Sequence, residues 1–174
     1  MKRFREFFYN LHPYALCYIA APLTVAQIIL GFVLRRPGIE VLRTVGFIVW
    51  WIGVIFGWLP IFVLRSKGNV ARGDSYVKTT KLVDTGIYGI VRHPQMGTAW
   101  LLMCTAMMLM AQHWSSVALG VPAMVLAYLD LLKADRRLVE KFGDAYRRYM
   151  ERVPRVNFVL GIVRMLQHAG GRIA

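Results

Sequence analysis

The stretch Val45-Gly-Phe-Ile-Val-Trp-Trp-Ile-Gly-Val-Ile-Phe-Gly-Trp-Leu-Pro-Ile-Phe-Val-Leu64 holds no charged residue in its 20 positions. A helix that crosses the hydrocarbon core of a bilayer needs about 20 mostly apolar residues. Three further blocks flank it. Pro13–Leu34 is also uncharged and carries Ile19, Leu23, Val25, Ile28, Ile29, Leu30, Phe32 and Val33. Met96–Trp114 is rich in Met and Leu, and Val117–Leu132 follows after a short connection around Gln112–Ser116. These last two read as a helical hairpin, tilted or slightly thinning the membrane. The first block exceeds the roughly 7–15 residues of a signal-peptide core, so it reads as a retained anchor. A chain 57% hydrophobic and 18% charged is unlike a soluble domain of 174 residues. The expected fold is an all-α integral membrane protein forming one domain, with about four transmembrane helices (13–34, 45–64, 96–114, 117–132) and cytoplasmic amphipathic C-terminal helices.

Charge sets the expected orientation. Of the 22 Lys and Arg, 19 lie in the N-terminal segment (Lys2, Arg3, Arg5), the 65–95 loop, or the tail from Lys133 to Arg172. Only Arg35, Arg36 and Arg43 lie between the first two spans. The positive-inside rule then places both termini and the 65–95 loop in the cytoplasm, with Arg35–Arg43 outside. The same rule, with anionic lipid headgroups, accounts for the net charge of +13 without nucleic acid. Cys17 and Cys104 both fall inside spans, with no disulfide or metal-ligand spacing. No metal site and no obligate protein partner is expected.

The tail, residues 133–174, opens with Leu138, Phe142, Tyr146 and Tyr149 at spacings of four, four and three, one apolar-aromatic face on a charged helix. Gly143 interrupts that pattern and Pro154 ends it. Beyond it, Val156–Leu166 is apolar but short, flanked by Arg155, Arg164 and Arg172, and reads as an interfacial helix.

The loop between the second and third spans ends in Lys81-Leu-Val-Asp-Thr-Gly-Ile-Tyr-Gly-Ile-Val-Arg-His-Pro-Gln-Met-Gly97. Gly86 and Gly89 permit unusual dihedrals or close backbone approach. Arg92 and His93 bring donors to the membrane boundary, and Pro94 suits a first helical turn. A helix start there offers free N–H groups to an anion. These residues also suit a plain juxtamembrane turn with basic anchors. No Rossmann glycine pattern or Walker loop is present.

Thr85-Gly86-Ile87-Tyr88 followed by Val91-Arg92-His93-Pro94 resembles the signature of the membrane methyltransferases that include isoprenylcysteine carboxyl methyltransferases and phospholipid N-methyltransferases. A second element in the same order, Leu138, Phe142-Gly143-Asp144, Tyr146, Tyr149 and Arg152-Val153-Pro154, strengthens the resemblance, which covers roughly residues 80–155. It implies methyl transfer from S-adenosylmethionine to a lipophilic acceptor that enters from the bilayer, at a cytoplasmic site. The implied cofactor residues are Val83, Gly86, Tyr88, Arg92, His93 and Pro94 on one side, with Asp135, Phe142, Tyr146 and Tyr149 on the other. Aromatic faces beside a sulfonium are also favourable by cation–π attraction.

Two departures matter. Met96 stands where a tyrosine is common. Carboxyl-methylating relatives carry an Arg, then a Glu four residues later, before the second element. Counting back from Phe142-Gly143 gives Asp130 and Ala134, or one residue along, Leu131 and Asp135. Lys133 and Arg136 are out of register. An acid near the end of a membrane helix marks function or pairs locally, here with Lys133 at i+3. Asp130 and Asp135 are therefore the candidate catalytic carboxylates, able to take a proton from an ammonium acceptor. An amine or other non-carboxylate acceptor is favoured. The alternatives are carboxyl O-methylation, a membrane reductase, and a non-enzymatic scaffold.

Overall fold

A computed structural model describes residues 3, 6, 9–34 and 37–170, without the side chains of 168–170. Lys2, Arg5, Arg35, Arg36 and Arg172, which enter the charge argument, lie outside the described residues. Every long element is helical: α1 Ala15–Val33, α2 Glu40–Lys67, α3 Trp100–Ala111, α4 Trp114–Phe142, α5 Asp144–Arg152 and α6 Phe158–Gly170. A 3-10 turn, Gly86–Gly89, and a π-helical turn, Pro94–Ala99, precede α3. Among the described residues, α1, α2 and α4 are long and apolar enough to cross a membrane. The chain is an integral membrane protein.

The expected third span, 96–114, is built as the π-turn plus the 12-residue α3. At 1.5 Å per residue α3 alone is about 18 Å long, short of the roughly 30 Å hydrocarbon core. The connection after it is Gln112 and His113, with Gln112 at φ +48. Ser115 and Ser116 belong to the next helix. That helix, α4, does not stop where the apolar run stops at Leu132. Residues 133–142 contain no Gly or Pro, and the helix continues to Phe142. Gly143, at φ +57, is the first residue that ends it at low cost.

The chain forms two compact units: residues 1–50 with 103–137, and residues 51–102 with 138–174. In the first unit, Gln27 of α1 is fully buried, and its Nε2 donates to Cys104 O at 2.9 Å and Ser116 O at 3.1 Å. In an apolar medium such an amide ties helices together through their backbones. Gly46 of α2 lies so close to α3 that a Cβ there would stand 3.0 Å from Ala106 O. At the other end of α1, Lys133 of α4 donates to His12 O at 2.8 Å and Arg137 to Pro13 O at 3.2 Å. These bonds hold the chain at the point where it starts the first helix.

The second unit has a core of Phe56, Ile87, Val91 and Ala99, against which Ile52, Val63 and Phe158 pack. The ring of Phe158, at the start of α6, lies 5.3 Å from that of Phe56. Gly161 of α6 is buried against the Ile90 carbonyl, and a Cβ there would collide with it at 1.9 Å. The segment expected to be interfacial is thus a helix with one face docked on this unit.

Candidate active site

The turn Gly86–Pro94 is shaped by its glycine and proline. Gly86 adopts φ +65, a conformation other residues avoid, and the nearest side-chain atoms to a Cβ there, those of Val63, would be 3.8 Å away. Pro94 opens the π-turn, where its missing N–H leaves no donor unpaired. The His93 carbonyl then accepts from both Gly97 N (3.1 Å) and Thr98 N (3.0 Å). The second of these is the i→i+5 bond that widens the helix, a feature common at functional sites.

The C-terminal segment closes on this turn through its main chain. Arg92 N donates to Pro154 O at 3.0 Å, and His93 N donates to Arg155 O at 3.1 Å. Thr98 Oγ1 donates to Val156 O at 2.9 Å. The Tyr149 hydroxyl donates to Tyr88 O at 2.6 Å. Arg152 and Asp84 add an ion pair at 3.2 Å, partly exposed on both sides. The two sequence elements, some 50 residues apart along the chain, thus meet as one assembly. They leave the Arg92 and His93 side chains buried at 8% and 9% exposure.

Nine of the expected site residues belong to this unit: Val83, Gly86, Tyr88, Arg92, His93, Pro94, Phe142, Tyr146 and Tyr149. Val83 and Pro94 are buried, Gly86 is exposed, and Tyr88 and Phe142 are half-buried. Tyr146 and Tyr149, at 2% exposure each, form a core with Val153, packed by Leu82, Leu138, Val139 and Phe142. Their rings meet edge to face at 5.6 Å between centroids. Burial, and then repulsion from the neighbouring tyrosines, pushes the Tyr149 phenol well above its ordinary range, so it stays protonated and donates. Burial likewise raises Tyr88.

Asp130 and Asp135 belong to the first unit, each at 4% exposure. Lys133 Nζ stands 3.3 Å from Asp130 Oδ1. That oxygen accepts no hydrogen bond, so the contact is an ion pair without hydrogen-bond alignment. The local i,i+3 partner is therefore present, and Lys133, at 2% exposure, is as buried as the acid it meets. Sequence reasoning missed Thr98, Gln27 and Gly161. Thr98 carries no signal, because its partner is a carbonyl 58 residues away. The other two were legible as a lone amide in a charge-free span and a glycine in an apolar run.

These features define an all-helical integral membrane protein with a buried Arg-His-Pro turn closed by its own C-terminal segment. The chain matches the phospholipid methyltransferase family over residues 41–144 and belongs to it. It is a methyltransferase. The match spans the turn and the Phe142-Gly143-Asp144 element, while residues 146–156, which close over the turn, lie beyond it. Members of this family generally use S-adenosylmethionine. No curated protein and no solved structure matches the chain significantly. The reductase and scaffold alternatives fall with this assignment.

Proposed function

We propose that the protein transfers the methyl group of S-adenosylmethionine to an amine, or another non-carboxylate group, of a lipophilic acceptor. The cofactor site is built on the Arg-His-Pro turn and faces the cytoplasm. The observation that carries this reading is the closure of the turn by main-chain hydrogen bonds from Arg92 and His93 to Pro154 and Arg155. The joint itself uses only the backbone N–H groups of these two residues, and their side chains lie buried beside it. The residues fit such a cofactor. A guanidinium and an imidazole in a buried turn suit its carboxylate. The half-buried rings of Tyr88 and Phe142 suit its flat base and its cationic sulfur. Tyr149 supports this surface by bonding the Tyr88 carbonyl, and Tyr146 packs against Tyr149.

Bound there, S-adenosylmethionine supplies an electrophilic methyl group for in-line displacement. The chain's own contribution is alignment and exclusion of water. An ammonium acceptor must first give up its proton, and Asp130 or Asp135 is the proposed recipient. An acid at 130, where carboxyl-methylating relatives carry an arginine, supports an amine. One observation favours the carboxylate alternative: buried Lys133 sets a cation 3.3 Å from Asp130, although it is out of register in the sequence.

Calorimetric titration of purified protein tests the cofactor. S-adenosylmethionine should bind, and His93→Ala should weaken binding while the helical content stays unchanged. No binding by folded, monodisperse wild type ends the proposal. Parallel assays with an aminophospholipid and a prenylated cysteine test the acceptor. Asp130→Asn should lower turnover more than cofactor affinity. Methylation of the prenylcysteine carboxylate unaffected by Asp130→Asn establishes the alternative.

A further inference from the structure

The first unit contains a cavity of about 510 Å³ between the end of α1, the start of α2 and the last turns of α3. None of its lining residues belongs to the second unit, which holds the Arg-His-Pro turn. Its size lies within the roughly 300–1,000 Å³ of ligand pockets. Its wall is apolar, with Phe32, Phe47, Trp50, Met107 and Met110. Phe32 and Phe47 are largely exposed, at 66% and 56%, so the cavity opens where acyl chains surround the protein.

The rim is different in kind. Glu40 and Arg43 both line the cavity and are joined at 2.7 Å between Oε2 and Nη1. Glu40 reaches outward, with its side chain 74% exposed, while Arg43 lies against the protein at 20%. A guanidinium matches phosphate geometry, and an exposed carboxylate beside it matches an ammonium. A carboxylate at that position disfavours a purely anionic headgroup.

We propose that this cavity is a binding site for one zwitterionic phospholipid, held without reaction. An acyl chain fills the apolar cavity, the phosphate meets Arg43, and the ammonium meets Glu40. The site goes beyond the methyl-transfer reading and does not depend on it.

The test uses the full chain in vesicles of equal parts phosphatidylcholine and phosphatidylglycerol. A photoactivatable diazirine is placed on the acyl chain of one lipid, then of the other. Phosphatidylcholine has a fully methylated nitrogen and cannot be an acceptor, so labelling is read independently of catalysis. Cross-linked peptides should come from residues 31–50 and 107–111, with phosphatidylcholine labelling them in clear excess. Arg43→Gln should lower that labelling about tenfold, the loss expected for a hydrogen bond to a charged group. Glu40→Gln should shift the preference toward phosphatidylglycerol. Thr44→Trp, at the cavity wall, should block labelling by either lipid. Cofactor affinity should be unchanged in all three variants. Equal labelling by the two lipids, labelling spread over every apolar helix, or indifference to Arg43→Gln would each overturn the proposal and leave ordinary boundary lipid. If Thr44→Trp is not recovered folded, the two charge variants decide the matter alone.

Discussion

The surroundings of Asp130 and those of His93 are both buried, polar and joined to a distant part of the chain, yet they are joined differently. Around Asp130 the charges themselves are the joint: Lys133 meets the carboxylate and also caps the His12 carbonyl. Around His93 the joint is main chain, with Arg92 N and His93 N bonded to the carbonyls of Pro154 and Arg155. The first arrangement occupies its ionisable side chains in holding the structure. The second makes its joint with backbone N–H groups and carbonyls. A buried charge is therefore weak evidence of function until its partner is known.

The largest effect is expected from removing one half of the ion pair. Lys133→Met leaves Asp130 buried beside no cation from α4, and should cost about 3–5 kcal/mol of stability. Asp130→Asn combined with Lys133→Met should recover most of that loss. Thermal unfolding in detergent reads both, and a near-neutral single variant would show that the charges are not the joint.

Gly161→Val probes the other region where its contact is tightest. The added side chain meets the Ile90 carbonyl, a backbone atom that cannot rotate away. A loss of about 3 kcal/mol is expected, with α6 released first and detected as faster proteolysis after residue 155.

Tyr149→Phe removes one side-chain bond and leaves the Tyr88 carbonyl without that donor, for about 1–3 kcal/mol. Its pH dependence sharpens the point. The folded phenol titrates above the unfolded value of 10.0, so the folded state holds its proton longer. The stabilising contribution is complete below pH 10 and declines as pH rises through that value. The variant should show a shallower alkaline decline than wild type, read as melting temperature against pH.

The smallest effect is expected from Arg152→Gln. Its pair with Asp84 is 59% and 39% exposed, so the loss should stay below about 1 kcal/mol and shrink further in salt. A larger loss would mean that the turn is held by charge after all, and the two regions would no longer differ.

That this is a helical membrane protein is legible in the run of residues alone. Blocks such as 13–34 and 45–64 have no stable home but a bilayer, and hydrophobic length is a local property. Two spaced elements were also enough to single out the Arg-His-Pro turn, because Gly86 and Pro94 encode backbone shape locally. Tertiary structure alone decided the rest. It turned Tyr146 and Tyr149 into a supporting core, and it buried the local pair of Asp130 with Lys133. It also joined Thr98 to Val156 and Gln27 to two helix backbones. Apart from that local pair, the partner is a carbonyl or a ring face brought near by folding. Residue identity names the donor, but only the path of the chain supplies the acceptor.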